Sequence, residues 1–101
     1  MTVRVQLEDF DLGAEVAALR AGNPGVGAVT SFIGTVRDIS DGSRVSTMEL
    51  EHYPGMTEKA LEQIEAAARQ RWDLLGVTIV HRVGLLQPLD QIVLVEIGRA
   101  H

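Results

Sequence analysis

Thr2 to Leu7 alternates polar and apolar residues, with Val3, Val5 and Leu7 on one side, the two-residue period of a strand. A helical stripe follows. Leu12, Val16 and Leu19 recur at helical spacing, Asp9 or Asp11 stands where an N-cap is wanted, and Gly22 offers a stop just past Arg20. Asn23-Pro24-Gly25 reads as a turn. Gly27 to Arg37 alternates again as a second strand. Ala28, Thr30, Phe32, Gly34 and Val36 share one face, and Val29, Ser31, Ile33, Thr35 and Arg37 share the other. Gly34 inside this strand predicts a bulge or a close approach of another backbone.

Asp38 to Ser43, with Asp41-Gly42 inside it, reads as a hairpin loop leading to a third strand over Arg44 to Tyr53, which Pro54-Gly55 ends. Met56 to Trp72 carries the most sustained helical pattern. Leu61, Ile64, Ala68 and Trp72 form the expected buried stripe, while Glu58, Glu62, Glu65 and Arg69 are expected on the wet side, with Glu65 and Arg69 paired four residues apart. Thr57 is the expected cap. Val77 to Val83 alternates as a further strand, with Val77, Ile79, His81 and Val83 on one face. After a connection over Gly84 to Asp90, Gln91 to Gly98 forms the last strand, whose Ile92-Val93-Leu94-Val95 run predicts a central position covered on both faces. The order strand, helix, two hairpin strands, long helix, two strands predicts an α+β domain with a largely antiparallel sheet and helices on one side. Residues 1–101 form one domain in this reading.

Composition narrows the function classes. The chain has 101 residues, 46% of them apolar, enough for one core yet close to the size at which a domain leans on a partner. The absence of cysteine excludes disulfides, thiolate metal sites and cysteine nucleophiles. No segment has the pattern of a signal peptide or the length of a membrane span, so a cytoplasmic setting without membrane contact is expected. A formal net charge of −5 argues against nucleic acid as a partner. Eight of the nine basic residues are arginine, Lys59 being the exception. Arginine suits planar, bidentate binding of carboxylate or phosphate, although a compositional bias explains most of the eight equally well.

The candidate chemistry is sparse. His52, His81 and His101 have no metal-ligand spacing, so no metal is expected; His52 and His81 read first as core-edge histidines bonded to the backbone. Glu49 and Glu51 share a strand face about 6.5–7 Å apart along the rise, but no aromatic sugar platform accompanies them, and a glycosidase is discounted. Arg37 is the strongest candidate. It ends an apolar strand beside an acidic, glycine-containing loop, where a guanidinium can hold an anion. A salt bridge with Asp38, Asp41 or a neighbouring strand is an equal reading. Arg82 offers a second cation, on the face opposite His81.

These segments carry a resemblance. Leu50-Glu-His-Tyr-Pro-Gly-Met-Thr-Glu-Lys-Ala-Leu61 resembles the signature of the molybdopterin synthase large (catalytic) subunit family; Ser31-Phe-Ile-Gly-Thr-Val-Arg37 and His81-Arg-Val-Gly84 are similar to two other family landmarks, and Asp90 to Ile97 and Ala100-His101 also match. The resemblance covers essentially the whole chain. It implies an α/β hammerhead fold with an added β-rich part, and a cytoplasmic heterotetramer: a homodimer of large subunits with a ubiquitin-like sulfur-carrier small subunit at each end. The carrier's C-terminal thiocarboxylate threads into the large subunit, and two sulfurs pass to cyclic pyranopterin monophosphate (precursor Z), making the dithiolene of molybdopterin. No cofactor is implied. Arg37 matches an active-site arginine, Phe32 an aromatic beside the pocket, and His101 a histidine that reaches the neighbouring subunit's site. His52, Tyr53, His81 and Arg82 match family motifs with structural or peripheral roles.

The chain also departs from the family pattern. The family continues past the histidine matched by His101 with an arginine and a helical segment bearing essential lysines. Thr35 stands where a lysine is common, and Lys59, inside the signature, is no substitute. The chain is therefore expected to lack a C-terminal portion and to be inactive alone in sulfur transfer. Two other readings compete: a non-catalytic interaction domain that binds the carrier, and a small anion-binding α+β domain.

Overall fold

The structure is a computed structural model that describes residues 2–40, 43–44 and 47–100. Its elements are β1 (Thr2–Gln6), α1 (Leu12–Ala21), β2 (Ala28–Thr35), β3 (Ile39–Ser40), β4 (Ser43–Arg44), β5 (Met48–Leu50), α2 (Met56–Arg71), β6 (Gly76–Arg82), β7 (Gly84–Leu86) and β8 (Gln91–Arg99). A four-stranded sheet has the order β1-β6-β8-β2. β1 runs parallel to β6, and the β6/β8 and β8/β2 pairs are antiparallel. Two small ladders, β3-β4 and β5-β7, stand apart from it. The α+β class, the largely antiparallel sheet and the dominant long helix are as the periodicity indicates.

Register sorts the side chains into two cores. On one face Val77 lies opposite Ile97, and Ile79 opposite Val95 and Val3. With Leu74 they pack against Leu61 and Ala68 of α2. On the other face Val80 and Leu94, fully buried, meet Phe10 and Ile33. There α1 lies close to the sheet: a Cβ on Gly98 would come within 2.7 Å of Leu19. Asp11 caps α1 by accepting from the Ala14 N–H at 2.9 Å. The two helices thus cover opposite faces, not one side. The reason is in β6 and β8, which place apolar residues on both faces, Val77, Ile79, Val95 and Ile97 on one and Val80 and Leu94 on the other, so each face needs cover. β8 is central, as its apolar run predicts.

Three further expectations are corrected. Among the described residues, the strands over 27–37 and 44–53 do not pair with each other. β2 pairs with β8, the 44–53 segment divides into β4 and β5, and β5 pairs with β7. Only the two-residue strands β3 and β4 form the local hairpin, with Asp41 and Gly42 outside the described residues. Alternation specifies which face a residue takes but not which strand lies beside it.

The buried stripe of α2 is also displaced. Ile64 is 63% exposed and Trp72 48%, whereas Glu65, expected in water, is 1% exposed. One residue is about 100° around a helix, so a small rotation brings Leu61, Glu65 and Ala68 inward. Glu65 is held there by Arg69, whose Nε donates to Oε2 at 2.8 Å and whose Nη1 donates to the Leu74 carbonyl at 3.0 Å. Finally, the cap of α2 is Gly55, not Thr57. The Glu58 side chain reaches back to accept from the Gly55 N–H at 3.1 Å.

Candidate functional site

The β2-β8 ladder runs in register from Ala28 opposite Arg99 to Gly34 opposite Val93, then slips so that Thr35 faces Gln91. Gly34 is the cause. A Cβ there would lie 2.9 Å from Cγ1 of Val93, closer than real side chains approach. The extra residue bends β8 locally, and the described pairing of β2 ends one position later, at Thr35. Val36, buried to 1% exposure, anchors the departing chain, and Arg37 and Asp38 emerge into solvent.

Opposite this strand end stands a turn over residues 87–90. The Asp90 N–H donates to the Gln87 carbonyl at 3.0 Å, Pro88 takes the second position and Leu89 the third, at φ +77°. This is the pattern of a type II turn. Asp90 Oδ2 accepts from the Gln87 N–H at 2.8 Å. Two backbone bonds tie the turn to the strand end: Leu89 N–H to the Val36 carbonyl and Val36 N–H to the Asp90 carbonyl, each 2.9 Å. Between them lies an open pocket of about 480 Å³ lined by Thr35, Val36, Arg37, Asp38, Pro88 and Leu89.

Arg37 makes no ion pair among the described residues; Asp41, one of its expected partners, lies outside them. A guanidinium exposed on a pocket wall can offer a planar fork of donors to a carboxylate or phosphate. Phe32 is 63% exposed on β2, on the same face as Gly34, and its ring edge lies 3.8 Å from where a Gly34 Cβ would sit. It does not line the Arg37 pocket. His101 lies outside the described residues.

The remaining sequence candidates fall elsewhere. His52 bonds to the Glu58 carboxylate (Nε2 to Oε2, 3.2 Å) and not to the backbone as expected. It borders a separate groove of about 500 Å³ with Glu49, Glu51, Val83 and Gly84. Glu58 is held below the ordinary carboxylate range by its own backbone N–H, with His52 and the Gly55 N–H adding to the effect. Tyr53 donates to Glu51, and that bond raises its phenol. His81 is half-buried and its Nδ1 lies 2.8 Å from the Arg82 carbonyl, the expected core-edge arrangement.

Arg82 is not a second anion patch. It donates to the Leu7 carbonyl through Nε and Nη2 (both 3.1 Å) and to the Gln91 carbonyl through Nη1 (3.0 Å), stitching β1 and β8 across the sheet edge. Asp9 beside it is lowered chiefly by a 2.8 Å bond from Gln91. Glu96, central in the sheet and fully buried, is raised, chiefly by burial, with neither carboxyl oxygen paired to a donor. Among the described residues no three of His, Asp and Glu converge to hold a metal ion, and no helix is long and apolar enough to cross a membrane.

Sequence reasoning missed the 87–90 turn as part of the site. Pro88 followed by Asp90 is a turn signal, but nothing in the local pattern places that turn against Val36.

Comparison with known proteins supplies the context. A family model described as MoaE protein matches residues 5–101. The chain is 70% identical over 100 residues to the molybdopterin synthase catalytic subunit of Ralstonia nicotianae, covering 99% of this chain and 57% of that protein. It is 55% identical over 101 residues to the protein of the same description from Pseudomonas aeruginosa, covering 100% and 67%. Among solved structures, the molybdopterin cofactor biosynthesis protein E from Burkholderia multivorans superimposes with a TM-score of 0.88 at 64% identity, covering 99% of this chain and 64% of that one. The chain therefore spans little more than half the length of the Ralstonia relative.

Proposed function

Because the chain belongs to the MoaE protein family, we propose that it acts within the large subunit of molybdopterin synthase, at the place where the C-terminal tail of a ubiquitin-like sulfur carrier is received. The observation that carries this reading is Arg37. It is exposed on the wall of an open pocket, just past the register slip between β2 and β8, and unpaired among the described residues.

The chemistry sets the demand on that residue. The carrier ends in a thiocarboxylate, an anion whose sulfur is to be delivered to the pterin phosphate precursor Z. A guanidinium fork holds the terminal anion in one orientation and opposes the negative charge that develops on the acyl oxygen when water adds to the acyl carbon and the sulfur, by then bonded to the pterin, leaves with the pterin. Phe32, two residues before Gly34 and open to solvent, gives an apolar surface beside the approach. His101, which lies outside the described residues, completes the proposed set as the match of the family's histidine. The same reading puts the reaction in the cytosol, with the pterin phosphate as small-molecule substrate and no resident cofactor.

The test is a binding titration of the 101-residue chain with a short peptide ending in Gly-Gly and a free carboxylate. Arg37→Ala is expected to weaken binding roughly 10- to 100-fold, the worth of a hydrogen bond to a charged group, and amidation of the peptide is expected to do the same. Calorimetry with precursor Z and with inorganic phosphate runs in parallel. Equal binding of those two, with no preference for the carboxylate peptide, would identify a general anion binder instead.

A further inference from the structure

Leu89 has no evident place in the fold. A type II turn calls for glycine or asparagine at its third position, because a Cβ at positive φ crowds the backbone. Leu89 holds that position at φ +77° and is the only non-glycine residue with positive φ among the described residues. Burial does not compensate for it, since the side chain is 87% exposed. Nor is the turn loose. The Gln87-to-Asp90 bond, the Asp90 carboxylate and the two backbone bonds to Val36 all fix it. A strained backbone that is held firmly and presents a large apolar side chain to water points to a use on binding.

The structure assigns that use. We propose that Leu89, with Pro88 beside it, is the specificity wall of the Arg37 pocket, packing against the last residues of an incoming protein C-terminal tail whose terminal carboxylate or thiocarboxylate Arg37 holds. This rests on the reading of Arg37 given above. The pocket sets one guanidinium against an apolar wall. That suits a ligand with a single terminal negative charge and a neutral, narrow body. A phosphate monoester brings up to two charges, and it would meet Asp38 next to Arg37 on a chain of net charge −5. The backbone bonds between the turn and Val36 hold the Pro88-Leu89 wall in place beside the end of β2.

Strain and recognition make opposite demands on this residue, and that opposition is the test. Leu89→Asn and Leu89→Gly both relieve the positive φ and remove the apolar surface. Thermal melting and binding are measured on the 101-residue chain, with the Gly-Gly carboxylate peptide and inorganic phosphate as probes and Arg37→Ala as reference. The expected result is a melting temperature equal to or above that of the parent, with peptide affinity about tenfold weaker, the loss of one buried leucine contact, and phosphate binding unchanged. Weakened peptide binding by Arg37→Ala, together with parental affinity in both Leu89 variants, would overturn the role of Leu89 and leave Arg37 in place. A parallel loss of phosphate binding in the Leu89 variants would also overturn it. No effect of Arg37→Ala would remove the reading on which both rest.

Discussion

Arg69→Ala tests the packing of α2 most directly. In a surface helix, a glutamate and an arginine four residues apart contribute about 0.2–0.5 kcal/mol. Here the Glu65 side chain is fully buried while Arg69 remains about a third exposed, so the pair is half inside the protein. Removing the guanidinium leaves a buried carboxylate without its 2.8 Å donor and strips the 3.0 Å donor from the Leu74 carbonyl. The other carboxylate oxygen, Oε1, has no partner to fall back on.

Orphaning one member of a buried ion pair costs about 3–5 kcal/mol. Arg69's exposure to screening solvent places the expected loss near the lower end, roughly 3 kcal/mol. For a domain of this size that is a fall in melting temperature of roughly 12–24 °C, out of a total stability of about 5–15 kcal/mol. Urea unfolding followed by circular dichroism reads it directly. Glu65→Leu combined with Arg69→Met removes both charges and is expected to recover most of the loss, since an apolar pair of similar volume replaces a buried ion pair at little cost. A loss below about 0.5 kcal/mol in Arg69→Ala, the value of an exposed pair, would refute the burial of Glu65 and with it the inward rotation of the helix.

Two further outcomes are expected besides those given for Arg37 and Leu89. Glu96 is raised in the folded state by burial, near Thr78, Glu15 and Arg4. Its contribution to stability is therefore fully present below the unfolded glutamate value of about 4.3 and is lost as pH rises through the higher folded value. Glu96→Gln should abolish that loss, so melting curves from pH 4 to 8 should show the variant gaining on the parent as pH rises; parallel curves would refute the assignment. Gly98→Ala places a methyl 2.7 Å from Leu19 and 3.2 Å from Val26, and the Leu19 and Val26 side chains, or α1 itself, must shift to admit it. A destabilisation of about 1–3 kcal/mol is expected by denaturant unfolding, and an unchanged midpoint would show that α1 does not sit tightly on the sheet.

Much of the fold is local and can be read along the chain. The strand faces of β1, β6 and β8 follow from two-residue alternation, because each side chain's face is set by its own backbone. A cap at Asp9 or Asp11, the Gly22 stop of α1, the close approach at Gly34 and the central place of β8 follow from local signals, and the structure selects Asp11 as the cap. Arg37 is legible in the same way, as a charge at the end of an apolar strand.

What the chain pattern leaves open concerns partners distant in sequence. Alternation cannot tell β2 that its neighbour is β8, since any apolar strand edge satisfies it. The helical pattern of α2 fixes a stripe only to within about a residue, and the ion pair with Arg69 lets that stripe turn Glu65 inward and leave Ile64 in water. The candidate site shows the same division. Sequence supplies Arg37, but the wall opposite it comes from a turn some fifty residues later, brought there by backbone bonds to Val36. Those bonds exist only once β2 and β8 have paired, which is why tertiary structure alone decides what faces the guanidinium.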